Sequence, residues 1–218
     1  LLAALGAAPV PDRAPAAYVR ALFDGFAPRF EAELSGALGY RTPALLAALL
    51  EEAGVAPRRA LAVLDLGCGT GLSGEALAPF ARRLEGLDLS PRMLAEAAKR
   101  GCYATLHEAD LLAWLPARHG AFGLIAAADV LNYLGDLGPA LAAIAGALTP
   151  GGVAAFSVEA GQGVPYALGE GLRYRHDPAH VAALAPGAGL QVAAERQATL
   201  RLERGAPAEG ALFVLRRE

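Results

Sequence analysis

The chain predicts an α/β fold: a three-layer sandwich on a mostly parallel, seven-stranded sheet, with one antiparallel strand in a C-terminal hairpin. Three observations predict it. From Ala60 onward, short apolar runs alternate with segments of helical periodicity, which places parallel strands between helices on both faces. The first of these runs passes directly into the glycine-spaced turn Gly67–Gly71. The last two runs, by contrast, have only turn residues between them.

Taken in order, Leu61–Leu66 reads as a strand, Gly67–Gly71 as a tight turn, Leu72–Ala81 as a helix and Leu84–Leu89 as a second strand. Ser90 then caps a helix that begins at Pro91 and runs to Arg100. Tyr103–Leu106 is a weak third strand and Phe122–Ala127 a fourth, with a helix near Leu137–Leu148 after it. Pro150-Gly151-Gly152 separates that helix from a fifth strand, Val153–Glu159. Asp177-Pro178 starts a further helix that stops near Gly187–Gly189. Leu190–Leu200 and Ala211–Arg217 close the chain as a hairpin joined through Gly205 and Pro207. Upstream, Tyr18, Leu22, Phe26 and Phe30 recur at helical spacing, and Pro28 and Gly39 punctuate residues 18–50 into two or three short helices. The expected divisions are 1–17 as a linker, 18–55 as a helical lid and 56–218 as the ligand-binding domain.

With 218 residues, 55% hydrophobic and 19% charged, the chain can bury a full core without metal or disulfide. A net charge of −3 disfavours a nucleic-acid surface, although Arg173 and Arg175 form a local basic patch. Cys68 and Cys102 are too few for a disulfide scaffold, which points to a reducing, cytoplasmic compartment. No apolar stretch approaches the roughly 18 residues of a membrane span, and Leu1–Ala8 lacks the basic leader of a signal peptide. The opening at Leu1 rather than Met gives the expectation that the chain was cut from something longer.

The chemistry concentrates in Asp65-Leu66-Gly67-Cys68-Gly69-Thr70-Gly71. Glycines there let a ligand lie on bare main chain, and the helix that follows offers free N–H groups to a carboxylate or phosphate. Nicotinamide and flavin enzymes use such turns too. Here, however, the third glycine arrives one position earlier than in the dinucleotide fingerprint, and Asp65 stands where it could face an ammonium group. A ligand with both an amine and a carboxylate fits these needs.

Asp65–Gly71 resembles motif I of class I S-adenosylmethionine-dependent methyltransferases. Leu87–Ser90, Ala109–Leu111, Ala128–Leu131 and Leu148–Gly152 follow in that family's order. More narrowly, Tyr18–Phe30 together with Leu38–Arg41 resembles bacterial methyltransferases with tetratricopeptide repeats upstream, of which Leu1–Leu5 would be a stub. The resemblance implies S-adenosyl-L-methionine as cofactor, held by Asp65, Gly67, Cys68, Gly69, Gly71 and Leu72. Asp88 would bind the ribose hydroxyls, and Leu89 and Met93 would cover the adenine. Asp110 would accept from the adenine amino group, Leu111 would add a backbone contact, and Asp129 would lie near the transferred methyl. Cys68 reads as a packed spacer rather than a nucleophile.

Asp88, Asp110 and Asp129 each have a plainer role open to them, as a helix cap, a surface acid or a structural group. The aromatics Tyr18, Phe23, Phe26, Phe30 and Tyr40 are either core or, with Arg41, a lid and acceptor site. His176 and His180 lack a third metal ligand nearby, so no metal is expected. If the acceptor needs a general base, His176, Tyr133 and Glu159 are the candidates. Asp129–Asn132 is not the Asp/Asn-Pro-Pro-Tyr pattern of amino-methylating enzymes, and no Pro-Cys pair follows the fourth strand, as it would in cytosine C5 methyltransferases. The expected partner is a small-molecule acceptor, with neither membrane nor nucleic acid. An oxidoreductase on a similar sheet, or a non-catalytic cofactor-binding module, are the alternatives.

Overall fold

The computed structural model describes residues 11–32, 39–203 and 205–218. The expected stub Leu1–Leu5, and Leu38 of the Leu38–Arg41 segment, lie outside the described residues.

Helix α1 (Ala16–Phe26) continues through a 3-10 turn, Ala27–Arg29, into one short turn, α2 (Phe30–Ala32). Helix α3 (Thr42–Glu52) precedes the alternating region. There follow β1 (Leu61–Leu66), α4 (Leu72–Leu77), β2 (Ala81–Asp88), α5 (Pro91–Lys99), β3 (Thr105–Glu108), α6 (Leu111–Trp114), β4 (Phe122–Ala127), α7 (Gly138–Ala147) and β5 (Leu148–Ala160). A small excursion, β6 (Tyr166–Leu168) and β7 (Tyr174–His176), leads to α8 (Pro178–Leu184) and the hairpin of β8 (Leu190–Glu203) and β9 (Ala206–Arg217).

The sheet runs β3-β2-β1-β4-β5, all parallel, and β9 lies antiparallel against residues 153–159 of β5 with β8 outside it. These are the seven expected strands with their one reversed member. Two more extend them: β7 pairs in parallel with Glu159 and Ala160 at the end of β5, and β6 pairs antiparallel with β7.

Alternation along each central strand divides the core into two sides. Leu64, Leu66, Ile125, Ala154, Phe156 and Phe213 pack with Leu141 and Ile144 of α7 and Val181 of α8. Val63, Leu124, Ala126, Ala155, Leu212 and Val214 pack with Leu46, Leu49 and Leu50 of α3 and Leu77 of α4. At the first side's centre the rings of Phe156 and Phe213, cross-strand neighbours, stack 5.4 Å apart.

Local signals fix most boundaries. Ser90 Oγ accepts the Met93 N–H at 3.1 Å and Pro91 fills the first position of α5, as expected. Helix α4 stops at Leu77 instead of reaching Ala81, because Pro79 has no N–H to continue the ladder, although Ala78 before it keeps helical dihedrals (φ −52°, ψ −36°). Pro207 sits inside β9, paired with Leu202, rather than in the turn, which is formed around Gly205 with φ +80°. Strand β9 meets β5 only from Gly210 onward, so at Pro207 one edge is free and no ladder bond is lost.

Candidate active site

A cavity of about 580 Å³ opens where the chain leaves β1, β2, β3 and β4. This is the ligand position of an open α/β sheet, at the size typical of small-molecule sites. Tyr18, Val19, Leu22, Phe23 and Phe26 of α1, with Phe30, form its roof. Phe30 meets Phe23 and Phe26 edge-on at 6.1 and 6.4 Å, so the roof is a self-packed aromatic layer. Ahead of it residues 12–14 cross the far side as a strap: Ala14 N–H donates to the Tyr133 carbonyl at 2.8 Å and Gly135 N–H to the Asp12 carbonyl at 2.7 Å.

The floor of one end is the turn after β1. Gly67 and Gly69 have φ +60° and +53°. A Cβ on Gly67 would lie 2.4 Å from Val130, whereas one on Gly69 would meet nothing nearer than the Phe30 ring at 3.8 Å. Gly69 therefore presents bare backbone to the cavity. Its N–H donates to Asp88 Oδ2 at 2.9 Å, and Asp88 Oδ1 accepts from Ser90 N–H at 2.8 Å. Both oxygens of this cavity-lining carboxylate are thereby oriented, each with a lone pair left. Burial pushes the Asp88 pKa up, against the pull of those N–H donors. Thr70 also lines the cavity, and its buried Oγ1 has no partner among the described residues.

The other predicted cofactor residues divide. Cys68, Leu72, Leu89, Asp110, Leu111 and Asp129 line the cavity with Gly67, Gly69 and Asp88. Asp65, Gly71 and Met93 do not. Asp65 is fully buried behind the turn, where Oδ2 accepts from the Tyr103 hydroxyl at 2.7 Å and Oδ1 has no partner. Burial raises its pKa to about 7. Met93 is fully buried under α5, so it supports the wall rather than forming it. Gly71 faces away, with a Cβ there striking the Arg100 side chain at 2.7 Å. Burial pushes the Cys68 thiol far up, which suits a spacer and not a nucleophile. Asp110 caps α6, accepting from Leu112 and Ala113 N–H at 3.0 and 3.3 Å, and also pairs with Arg13 of the strap.

The opposite end differs in chemistry. Asp129 has a left-handed backbone, φ +56°, rare for a residue with a side chain. Its oxygens accept from Thr42 Oγ1 at 3.0 Å and Ser157 Oγ at 3.2 Å, with Arg201 Nη1 3.6 Å away. Burial raises its pKa. Arg173, Arg201 and Glu203 share the wall with Tyr133 and Asn132. Arg201 is 8% exposed and pairs with Glu159. Arg173 Nη2 donates to both Glu203 oxygens at 2.6 and 2.5 Å, and those bonds hold the Glu203 pKa down.

Two of the three candidate bases need correction. His176 does not line the cavity; it is 1% exposed, and Nε2 donates to the carbonyls of Leu134 and Gly135 at 2.9 and 3.1 Å. Burial lowers its pKa, so it is a neutral clamp on the strap's docking loop and out of reach of an acceptor. Glu159 is buried too, its carboxylate facing Arg201 and, at 3.0 Å, Arg173 Nε. It serves to position those cations. Tyr133 does line the cavity, edge-on to Phe23 at 5.6 Å, but burial pushes its pKa to about 12 and keeps the phenol protonated near neutrality. Arg41 is exposed and does not line the cavity; Tyr40 does. Of the basic patch, Arg173 turns into the cavity and Arg175 outward, with a side chain 65% exposed.

Residues 63–152, the strands and turns of the first end, match the family described as methyltransferase domain. Over this segment the chain is similar to class I methyltransferase domains. Over 93 residues it is 44% identical to trans-aconitate 2-methyltransferase of Pseudomonas aeruginosa, covering 41% of this chain and 33% of that protein. Human methyltransferase-like protein 27 is 34% identical over 112 residues, 50% of this chain and 45% of that protein. The match thus spans a third to under half of the length of these curated relatives. Among solved structures, magnesium protoporphyrin IX methyltransferase of Synechocystis superposes with TM-score 0.70 at 19% identity, over 93% of this chain and 99% of that one. The [4+2]-cyclase SpnF gives 0.74 at 19% identity, over 95% and 98%. The chain thus has the Rossmann-like fold its sequence predicts, and the cavity lies where the parallel strands end. No helix among the described residues is long and apolar enough to cross a membrane.

Proposed function

We propose that the protein transfers a methyl group from S-adenosyl-L-methionine to a small-molecule acceptor. The observation that carries this is the bare, left-handed Gly69 backbone at the cavity floor, pinned by Asp88 and flanked by the unpartnered Thr70 hydroxyl. That set suits a ligand with a carboxylate at one end and a ribose at the other. Backbone from Gly67 to Leu72, with Thr70, would hold the amino-acid end; Asp88 would take the ribose hydroxyls. Leu89 and Leu111 would cover the base, and Asp110, shared with Arg13, would receive its amino group. Asp65 would answer the ammonium charge from behind the turn, with Gly71 and Met93 shaping the wall.

Bound there, the cofactor supplies an electrophilic methyl on a sulfonium. The protein's own contribution is placement and dryness. The roof of Tyr18, Phe23, Phe26 and Phe30, with Tyr40, excludes water and acts as the lid, whereas α3, also inside the expected 18–55 lid, packs against the sheet instead. Tyr133, protonated, donates a hydrogen bond rather than removing a proton. With His176 and Glu159 engaged elsewhere, the acceptor must arrive as a ready nucleophile.

The size of the cavity supports a small acceptor, as do the trans-aconitate enzyme of P. aeruginosa and the Burkholderia thailandensis structure named for 1,6-didemethyltoxoflavin, with TM-score 0.71. The narrower kinship to enzymes with upstream repeats rests on residues 18–41 alone. Calorimetric titration with S-adenosylmethionine and S-adenosylhomocysteine tests the proposal, with binding of both expected. Binding of a nicotinamide dinucleotide instead would overturn it.

A further inference from the structure

The acceptor end of the cavity is lined by two guanidinium groups, Arg173 and Arg201, and two carboxylates, Glu203 and Asp129, with a third carboxylate, Glu159, buried behind the arginines. The carboxylates are not equivalent. The side chains of Glu159 and Asp129 are 7% and 15% exposed, and Asp129 is further fixed by Thr42 and Ser157. Glu203, the last residue of β8, is 41% exposed, and among the described residues its hydrogen bonds come from the two arginines. Of the three it is the one already open to water, so a competing carboxylate that takes over its arginine bonds can release it.

Its departure would leave Glu159 and Asp129 balancing two positive charges, with Arg173 Nη2 stripped of its acceptor at the cavity wall. Arg173 Nε, buried and only 3.0 Å from Glu159, is not aligned to bond it. The backbone leading into Arg173 is itself constrained: Gly171 and Leu172 both have positive φ, +67° and +56°, the second unfavourable for a leucine. A costly conformation aims this guanidinium inward.

Resting on the methyltransferase reading, we propose that the acceptor is a carboxylic acid, held by a carboxylate that takes Glu203's place against Arg173 and Arg201. Glu203 is then a stand-in that keeps the arginine pair satisfied until the acid enters. The paired N–H donors match a planar carboxylate in charge and shape, and Tyr18, Leu22, Phe23 and Tyr133 offer the rest of the molecule an apolar bed. The handle lies outside residues 63–152, so it belongs to this chain's acceptor preference and not to the matched domain.

The test uses the full chain saturated with S-adenosylhomocysteine and titrates phenylacetate, benzoate and trans-aconitate, with phenylacetamide as the uncharged control. At least one acid should bind, and phenylacetamide more weakly than phenylacetate by about ten- to a hundredfold. Arg173→Gln should erase that preference, while Glu203→Gln, which removes the competitor, should tighten the acids severalfold. Arg201→Gln is less suitable because that side chain is buried; the half-buried Arg173 keeps the test informative should Arg201→Gln not fold. Equal binding of acid and amide, no acid binding at all, or weaker acid binding to Glu203→Gln would each overturn the proposal. Failure of S-adenosylhomocysteine itself to bind would instead remove the cofactor reading, a separate outcome read in the first titration.

Discussion

The two ends of the cavity are built on opposite plans. The end proposed to hold the cofactor is main chain: left-handed glycines and one carboxylate held in place by backbone donors. The acceptor end is side chain: two arginines, three acids, a tyrosine and an asparagine carried by β4, β5, β7 and β8 or the turns beside them. Backbone recognition tolerates little change of sequence, because a single added Cβ occupies the ligand's place. Side-chain recognition can be rewritten one residue at a time. On the proposed reading, one molecule carries a fixed donor site against an adjustable acceptor site.

The largest effect should separate these plans. Gly69→Val places a branched side chain where the cavity floor is bare, so S-adenosylhomocysteine binding should vanish in calorimetry. The left-handed backbone adds a stability cost of roughly 1–2 kcal/mol, and a normal circular dichroism spectrum would show that the fold survives. Retained affinity would mean that the ligand does not lie on this turn. Asp88→Ala comes next. It removes a buried, oriented acceptor and unpins Gly69, and should weaken the same binding by about 1–3 kcal/mol. Unchanged affinity would void the ribose assignment.

A third test concerns the charge behind the turn. Burial raises Asp65 from 3.8 to about 7, so between these values the folded chain holds a proton that the unfolded chain has released. The unfolded state binds fewer protons in that window. Asp65's contribution is therefore fully present below pH 4 and lost as pH rises through 7, by at most about 4 kcal/mol. Asp65→Asn should lose this dependence, seen as a flatter difference between variant and wild type in urea unfolding at pH 4 to 7.5. An unaltered profile would place the Asp65 pKa near its ordinary value. The smallest effect belongs to the lid's fastenings. Arg20→Ala removes an exposed pair with Glu108 and should change stability by less than about 1 kcal/mol at low salt and less still at 0.5 M. A larger loss would show that the lid depends on its rim charges rather than on Phe23, Phe26 and Phe30.

The same contrast explains what could be read from the chain beforehand. Asp65–Gly71 is one continuous stretch, so strand, turn and ligand-facing glycine all follow from local rules. Arg173 and Arg201 are 28 positions apart along the chain, and they meet only because β7 and β9 both pair with β5 while β8 lies outside β9. No periodicity announces that meeting. The strands β6 and β7 have three residues each, too few to show a period of two, so the sheet's extension also escaped notice. The early end of α4 is legible in Pro79, which cannot donate to the helical ladder. His176 misled for another reason: the sequence shows its imidazole but not the carbonyls of Leu134 and Gly135 that engage it.

The lone tryptophan gives the donor site an optical readout. Trp114 ends α6, the helix whose cap Asp110 and whose Leu111 and Leu112 line the cavity, and its indole lies 4.8 Å from the His107 ring with Arg118 over its face at 4.2 Å. Any adenosyl ligand that shifts α6 alters the surroundings of the protein's single indole emitter. Intrinsic fluorescence then follows filling of the donor site in real time, with no label attached.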